Sequence, residues 1–313
     1  MTFIKLVEFR KQRELGQIIS DTFTFLRRNA KPLLNVLVRT CAIPFILLIV
    51  AVGFYTKSTA GANILTSFGE GTDMSTFFVS ILCLGITGII YNSLLYGSVS
   101  EYIKAYIAAG DVPDTTAVVD TIKSKTGAFL GLGFTNLLVI LVIALVPVGL
   151  GGALFAAGSE AVGVLVVILA IFPLLYVYVK LSVIFPALID KNLSIKEAIK
   201  ESSSLIKNEW WMTFITVIII GLLIGVIGFV FQVPVVIYTL IKTISSVQSG
   251  SVGDPAALFD NVYLVLQVLA SAINYILYAI LAIATNFIYF NLNERKNQTG
   301  SLDQINNIGG TNA

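Results

Sequence analysis

The chain has 313 residues, 56% of them hydrophobic and only 12% charged, with a mean hydropathy of +0.89; a soluble domain carries about 25% charged residues, so composition alone places this sequence among membrane proteins. A net charge of +2 leaves no overall field that would attract nucleic acid. The absence of histidine excludes Ser-His-Asp triads, Cys-His dyads and His-ligated zinc or haem.

The N-terminal segment carries Lys5, Glu8, Arg10, Lys11, Arg13 and Glu14 with no apolar core ahead of them. No cleavable leader is therefore predicted, and the first span is expected to act as an uncleaved insertion signal. Leu15, Ile18, Ile19, Thr22, Phe23 and Leu26 then form a stripe at the 3.6-residue helical period, with Arg13, Gln17, Asp21 and Arg28 largely outside it. A bilayer core of about 30 Å needs about 20 apolar residues in a helix. Six stretches qualify: Leu33–Tyr55, Phe77–Ser98, Phe129–Gly149, Ala161–Phe185, Phe214–Leu240 and Val262–Phe290. The two cysteines, Cys41 and Cys83, fall inside such stretches and are expected to be small apolar fillers rather than a disulfide or metal pair.

Basic residues set the expected orientation. Sixteen of the 20 Lys and Arg lie before the first span, between the second and third, between the fourth and fifth, or after the sixth. The other three connections hold only Lys57 and Lys242, and Arg39 and Lys180 lie within spans. This asymmetry predicts a multi-pass protein of the cell (inner) membrane with both termini cytoplasmic. Trp210 and Trp211, at the entry of the fifth span, and Tyr55, Tyr238, Tyr263 and Tyr289, near other span ends, suit the headgroup level.

The cytoplasmic segments repeat. Ile195, Ala198, Ile199, Ser202, Leu205 and Ile206 form a second stripe, started by a capping box of Ser194 and Glu197. A weaker one, Val118, Val119 and Ile122, follows Pro113 and Asp114. Asp21, Asp120 and Glu201 occupy matching places, and Arg27 matches Lys207. The expected architecture is all-α: one integral membrane domain over 1–313, a helical bundle of about six transmembrane helices. It reads as three parallel repeats of an interfacial amphipathic helix plus a transmembrane hairpin, approximately 13–98, 113–185 and 194–290, with a polar tail over 291–313. The amphipathic helices either lie in the inner headgroup layer, facing anionic lipid, or cap the bundle.

Polar groups inside the spans are the candidate functional residues, because lipid does not solvate them. They are Arg39, Asn92, Asn136, Lys180, Gln232 and Asn274, with Gln267 and Asn286 as further amides. Arg39 and Lys180 can snorkel to the inner headgroups or contact an anion or lipid phosphate there. The amides can join helices by hydrogen bonds or line a substrate path. Pro44, Pro147, Pro173 and Pro234 are expected to interrupt spans, and Gly221 and Gly225 form a GxxxG pattern. No acid lies deep in a span, and no Walker A, GxGxxG, CxxC or HExxH motif occurs. No catalytic, cofactor-binding or metal-ligating residue is therefore assigned.

Two stretches carry a family resemblance: Arg13-Glu-Leu-Gly-Gln-Ile-Ile-Ser-Asp-Thr-Phe-Thr-Phe-Leu-Arg-Arg-Asn29 with Pro32-Leu-Leu34, and Ser194-Ile-Lys-Glu-Ala-Ile-Lys-Glu-Ser-Ser-Ser-Leu-Ile-Lys-Asn208 before Trp210. The sequence resembles bacterial six-helix membrane proteins, among them the membrane domain joined to some glycerophosphodiester phosphodiesterases and the DUF4013-type group. The resemblance implies a six-helix inner-membrane fold. It does not imply the phosphodiesterase activity, which in fused proteins belongs to a separate soluble barrel that needs histidine. The expected function is non-enzymatic: a scaffold or subunit of an envelope complex, in contact with anionic headgroups at the cytoplasmic face and with a protein partner in the membrane. The alternative is a transporter, channel or lipid-handling protein.

Overall fold

A computed structural model describes residues 7–59, 74–248 and 258–298. Among the described residues the secondary structure is helical, with no strand. In chain order the helices are α1 (Leu15–Thr59), α2 (Met74–Ala109), α3 (Thr115–Ala156), α4 (Glu160–Leu169), α5 (Ile171–Leu181), α6 (Ile184–Asp190), α7 (Ile195–Ile206), α8 (Trp210–Gln248) and α9 (Asn261–Asn297). Six stretches are long and apolar enough to cross a membrane: α1, α2 from Ser75, α3, the run Glu160–Asp190 over α4 to α6, α8 and α9. The expected all-α polytopic bundle is thus the observed class.

The amphipathic stretches are joined to the spans differently from the expectation of three separate interfacial helices. The first is the opening of α1, a helix of 45 residues that runs without interruption through Pro32 and Pro44. The second opens α3, after Asp114 caps it by accepting from the Thr116 amide at 2.9 Å. Both stripes continue into their spans as unbroken α-helix, through Asn29 and Pro32 in α1 and through Gly127 in α3, so helix propagation carries straight across these weak breakers. Only the third is a helix of its own. The capping box starts α7, with Ser194 Oγ accepting from the Glu197 amide and Glu197 accepting from the Ser194 amide. The turn at Lys207–Glu209 ends it.

The fourth span shows where proline acts. Helix α5 begins two residues before Pro173 and α6 two residues before Pro186. Proline cannot donate to the residue four back but fits a first turn, so each break lies just upstream of its proline. Of the four prolines expected to interrupt spans, only Pro173 sits at a break; α1, α3 and α8 continue through Pro44, Pro147 and Pro234.

The chain divides into two compact units. Unit 1 comprises 1–40, 93–220 and 282–313. Its buried apolar residues include Phe9, Ile18, Phe25, Val99, Tyr102, Val118, Ile122, Phe129, Leu205, Ile206 and Phe287. The stripes of the amphipathic segments therefore face protein. On α1 the buried line is Ile18, Thr22, Phe25 and Asn29, so Phe25 and Asn29 belong to the inward face, which Phe23 does not. The α3–α4 hairpin of this unit leaves most apolar side chains outside, Leu138, Val142, Leu145 and Leu165 among them. Its two helices meet at Gly151 and Gly163, where a Cβ on either would overlap the backbone carbonyl of the other.

Unit 2 comprises 41–92 and 221–281, and so takes residues from α1, α2, α8 and α9. Leu48, Ala51, Val52, Tyr91, Ile224, Val235 and Ala270 are buried, whereas Ile43, Val50, Leu82, Val226 and Phe229 are exposed. In a membrane-spanning chain, exposed aliphatic rows of this kind suit a lipid surround. Tyr91 Oη donates to the Tyr275 carbonyl at 3.0 Å, and the Ser58 and Ser80 hydroxyls lie 2.7 Å apart.

Candidate functional site

Within unit 2 the structure gathers Gln232 and Asn274 onto one seam between α8 and α9. Gln232 Nε2 donates to Gln267 Oε1 at 2.9 Å, and Gln267 reaches Ser271 Oγ at 3.4 Å. One turn along α8 from Gln232, Gly228 lies against the Asn274 amide so closely that a Cβ there would overlap it. Asn274 Nδ2 donates to the Ala270 carbonyl at 3.0 Å. Asn92 turns back on its own helix, donating to the Gly88 carbonyl at 2.8 Å. The Gln232–Gln267 bond is the kind by which polar groups join membrane helices, whereas Asn92 and Asn274 donate within their own helices. Asp260 closes the same helix pair. It accepts from the Val262 and Tyr263 amides at the start of α9, from Tyr238 Oη at 2.5 Å and from Lys242 Nζ at 2.8 Å. Lys242, Tyr238 and the Tyr263 amide hold its carboxyl well below the usual carboxylate range.

The other three candidates lie in unit 1, and no described hydrogen bond joins them to one another. Arg39 is exposed, with Nη1 3.4 Å from Thr116 Oγ1. Asn136 has a buried Oδ1 without a hydrogen-bond partner. Lys180 holds its Nζ 4.9 Å from the centre of the Tyr176 ring. That ring belongs to an aromatic group at the start of α8. Trp210 stacks between Tyr176 and Phe214, with centroids 5.8 and 4.9 Å away, and its Nε1 donates to the Tyr176 carbonyl at 3.2 Å. Trp211 meets Trp210 edge-on at 4.8 Å and is 70% exposed.

The densest polar network is one that sequence reasoning passed over. Arg13 is 1% exposed, although it precedes α1 in a segment without regular structure. Its Nε donates to Asp21 at 2.8 Å, and Nη1 to the Phe9 carbonyl at 2.7 Å, while Nη2 donates to the Glu8 carbonyl. Its amide donates to Asn291 Oδ1 at 2.7 Å, and its guanidinium lies 4.8 Å from the Phe287 ring centre. Burial pushes the guanidinium pKa down, and the Asp21 carboxylate opposes that shift. Phe9 fills the neighbouring space, stacked on Phe287 at 4.3 Å and edge-on to Phe25 and Phe290. The available signal was Asn291, Asn293 and Glu294, which composition assigns to a polar tail. They lie on α9 and are buried. The part of that tail from 299 to 313 lies outside the described residues, as does Lys5.

Further bonds extend the network. Tyr102 donates to Asn29 at 3.0 Å, Asn286 to Ser100 at 3.0 Å, Tyr289 to Asp190 at 2.8 Å, and Lys125 pairs with the buried Glu101 at 2.9 Å. The repeated acids take part unequally: Asp21 pairs with Arg13 and Lys11, and Glu201 with Lys191, whereas Asp120 is exposed.

Six helical stretches long and apolar enough to cross a membrane define the class, a multi-pass helical membrane protein. No family model, curated protein or solved structure matches the chain.

Proposed function

We propose that this protein performs no covalent chemistry and serves as a scaffold or subunit of an envelope complex in the inner membrane, with both termini cytoplasmic. The supporting observation is the state of the amphipathic stretches. Their apolar faces are occupied by the protein itself, which leaves Lys123, Lys196 and Lys200 exposed on α3 and α7 as a preformed basic face. Anionic headgroups, or an acidic surface on a partner protein, complement such a face. The resemblance to the phosphodiesterase-linked membrane domain agrees with a membrane-embedded, non-catalytic role. Purification in mild detergent followed by mass spectrometry is the test. A partner recovered in fixed ratio is expected; a lone monomer overturns the proposal.

A second reading, transport or lipid handling, draws on Asn136, an acceptor with no internal partner on a sparsely covered span. Under that reading, Asn136→Leu abolishes the transported flux without lowering stability. Under the scaffold reading, the variant is neutral for partner recovery.

A further inference from the structure

Lys180 is a cation within a spanning stretch, and a charge there needs a counter-charge. Among the described residues no carboxylate pairs with it: Glu201 is taken by Lys191 and Glu209 by Arg295. Its Nζ rests over the half-exposed Tyr176 ring. One helical turn separates the two residues, about 6 Å along α5. Beside them stands a stack of fixed rings, Tyr176, Trp210 and Phe214, from which Trp211 projects. Lys207 is exposed at the end of α7, three residues before Trp210. Indole and phenol rings favour the level of the glycerol and carbonyl groups, and a lysine one turn beyond reaches the phosphate level.

We propose that Lys180, Tyr176, Trp210 and Trp211, with Lys207 at the rim, form a binding site for one anionic phospholipid. The headgroup phosphate supplies the counter-charge missing at Lys180, and Trp211 packs on the glycerol and upper acyl region. This rests on the headgroup reading above and narrows it to one site, separate from Lys123, Lys196 and Lys200.

Trp210 and Trp211 are the only tryptophans in the chain, so its indole emission reports on this place alone. The protein is reconstituted in phosphatidylcholine vesicles containing a minor fraction of either brominated phosphatidylglycerol or brominated phosphatidylcholine, and quenching is compared. The expected result is enrichment of the anionic lipid at the indoles by about fivefold over bulk. Lys180→Gln should remove the preference and Lys180→Arg retain it. A variant carrying K123Q, K196Q and K200Q should keep it, even if a general headgroup attraction of the basic face is thereby lost. Equal quenching by the two lipids in the unmodified protein, or a preference that survives K180Q, overturns the site. Inorganic phosphate that relieves the quenching assigns the contact to a free anion and also overturns it.

Discussion

A buried guanidinium is tolerated only when its donors find acceptors, because the desolvation of the charge is otherwise uncompensated. Arg13 meets that condition with Asp21, the Phe9 and Glu8 carbonyls and the Phe287 ring. Its removal strands those acceptors. Arg13→Ala is expected to destabilise the folded protein by about 3 kcal/mol, a breakage of the buried-pair kind, read as an earlier thermal transition in detergent. Arg13→Lys should recover only part, since one ammonium cannot serve both the carboxylate and the separated carbonyls. A second residue-scale prediction concerns the α8–α9 seam. Gly228→Ala is expected to lower stability by roughly 1–3 kcal/mol through overpacking against the Asn274 amide. Adding Asn274→Ala should return most of the loss, and additive losses in the double variant would show that the two residues do not touch.

At the scale of elements, the separate helix is α7, and its capping box is the reason it begins where it does. Ser194→Ala is expected to cost about 1 kcal/mol, the usual value of a lost N-cap. The Ser194 amide and hydroxyl hold the Glu197 carboxyl below its ordinary value. A carboxyl depressed in the folded state contributes stability above its unfolded pKa, near about 4.3. That contribution fades as pH falls through the folded value. The Asp260 latch at the start of α9 follows the same sign, with a stronger depression. Acidification below pH of about 4 should therefore loosen both helix starts, and in Asp260→Asn the acid sensitivity of α9's first turn, followed by hydrogen exchange, should disappear. Persistence of the same acid response in that variant would show that the latch is not its source.

At the scale of the whole molecule, the positive-inside pattern predicts that α3 and α7 begin on one side of the membrane. In a background carrying C41S and C83S, K123C and K200C should both resist a charged maleimide in intact cells and react after permeabilisation. Labelling of one without the other would overturn the topology. Deletion of residues 1–13 removes Phe9 and Arg13 together from their places against α9. It should reduce the yield of folded protein even though every spanning stretch remains.

Much of the fold was legible because the solvent is lipid. Runs of about 20 apolar residues are a one-dimensional signal, and a bilayer converts it directly into spans. The Ser194–Glu197 cap is legible for a related reason, being a contact between residues three apart. The sequence thus determined the helical class, the six spans and the start of α7. Tertiary structure alone decided that Asn291 and Arg13 meet across most of the chain length, that Gln232 pairs with Gln267, and that among the described residues no carboxylate pairs with Lys180. Those outcomes depend on which faces the helices turn to one another. No local period records that choice, because in lipid an apolar face gains little from meeting protein rather than acyl chains, and a few polar groups and close-packed glycines settle it instead.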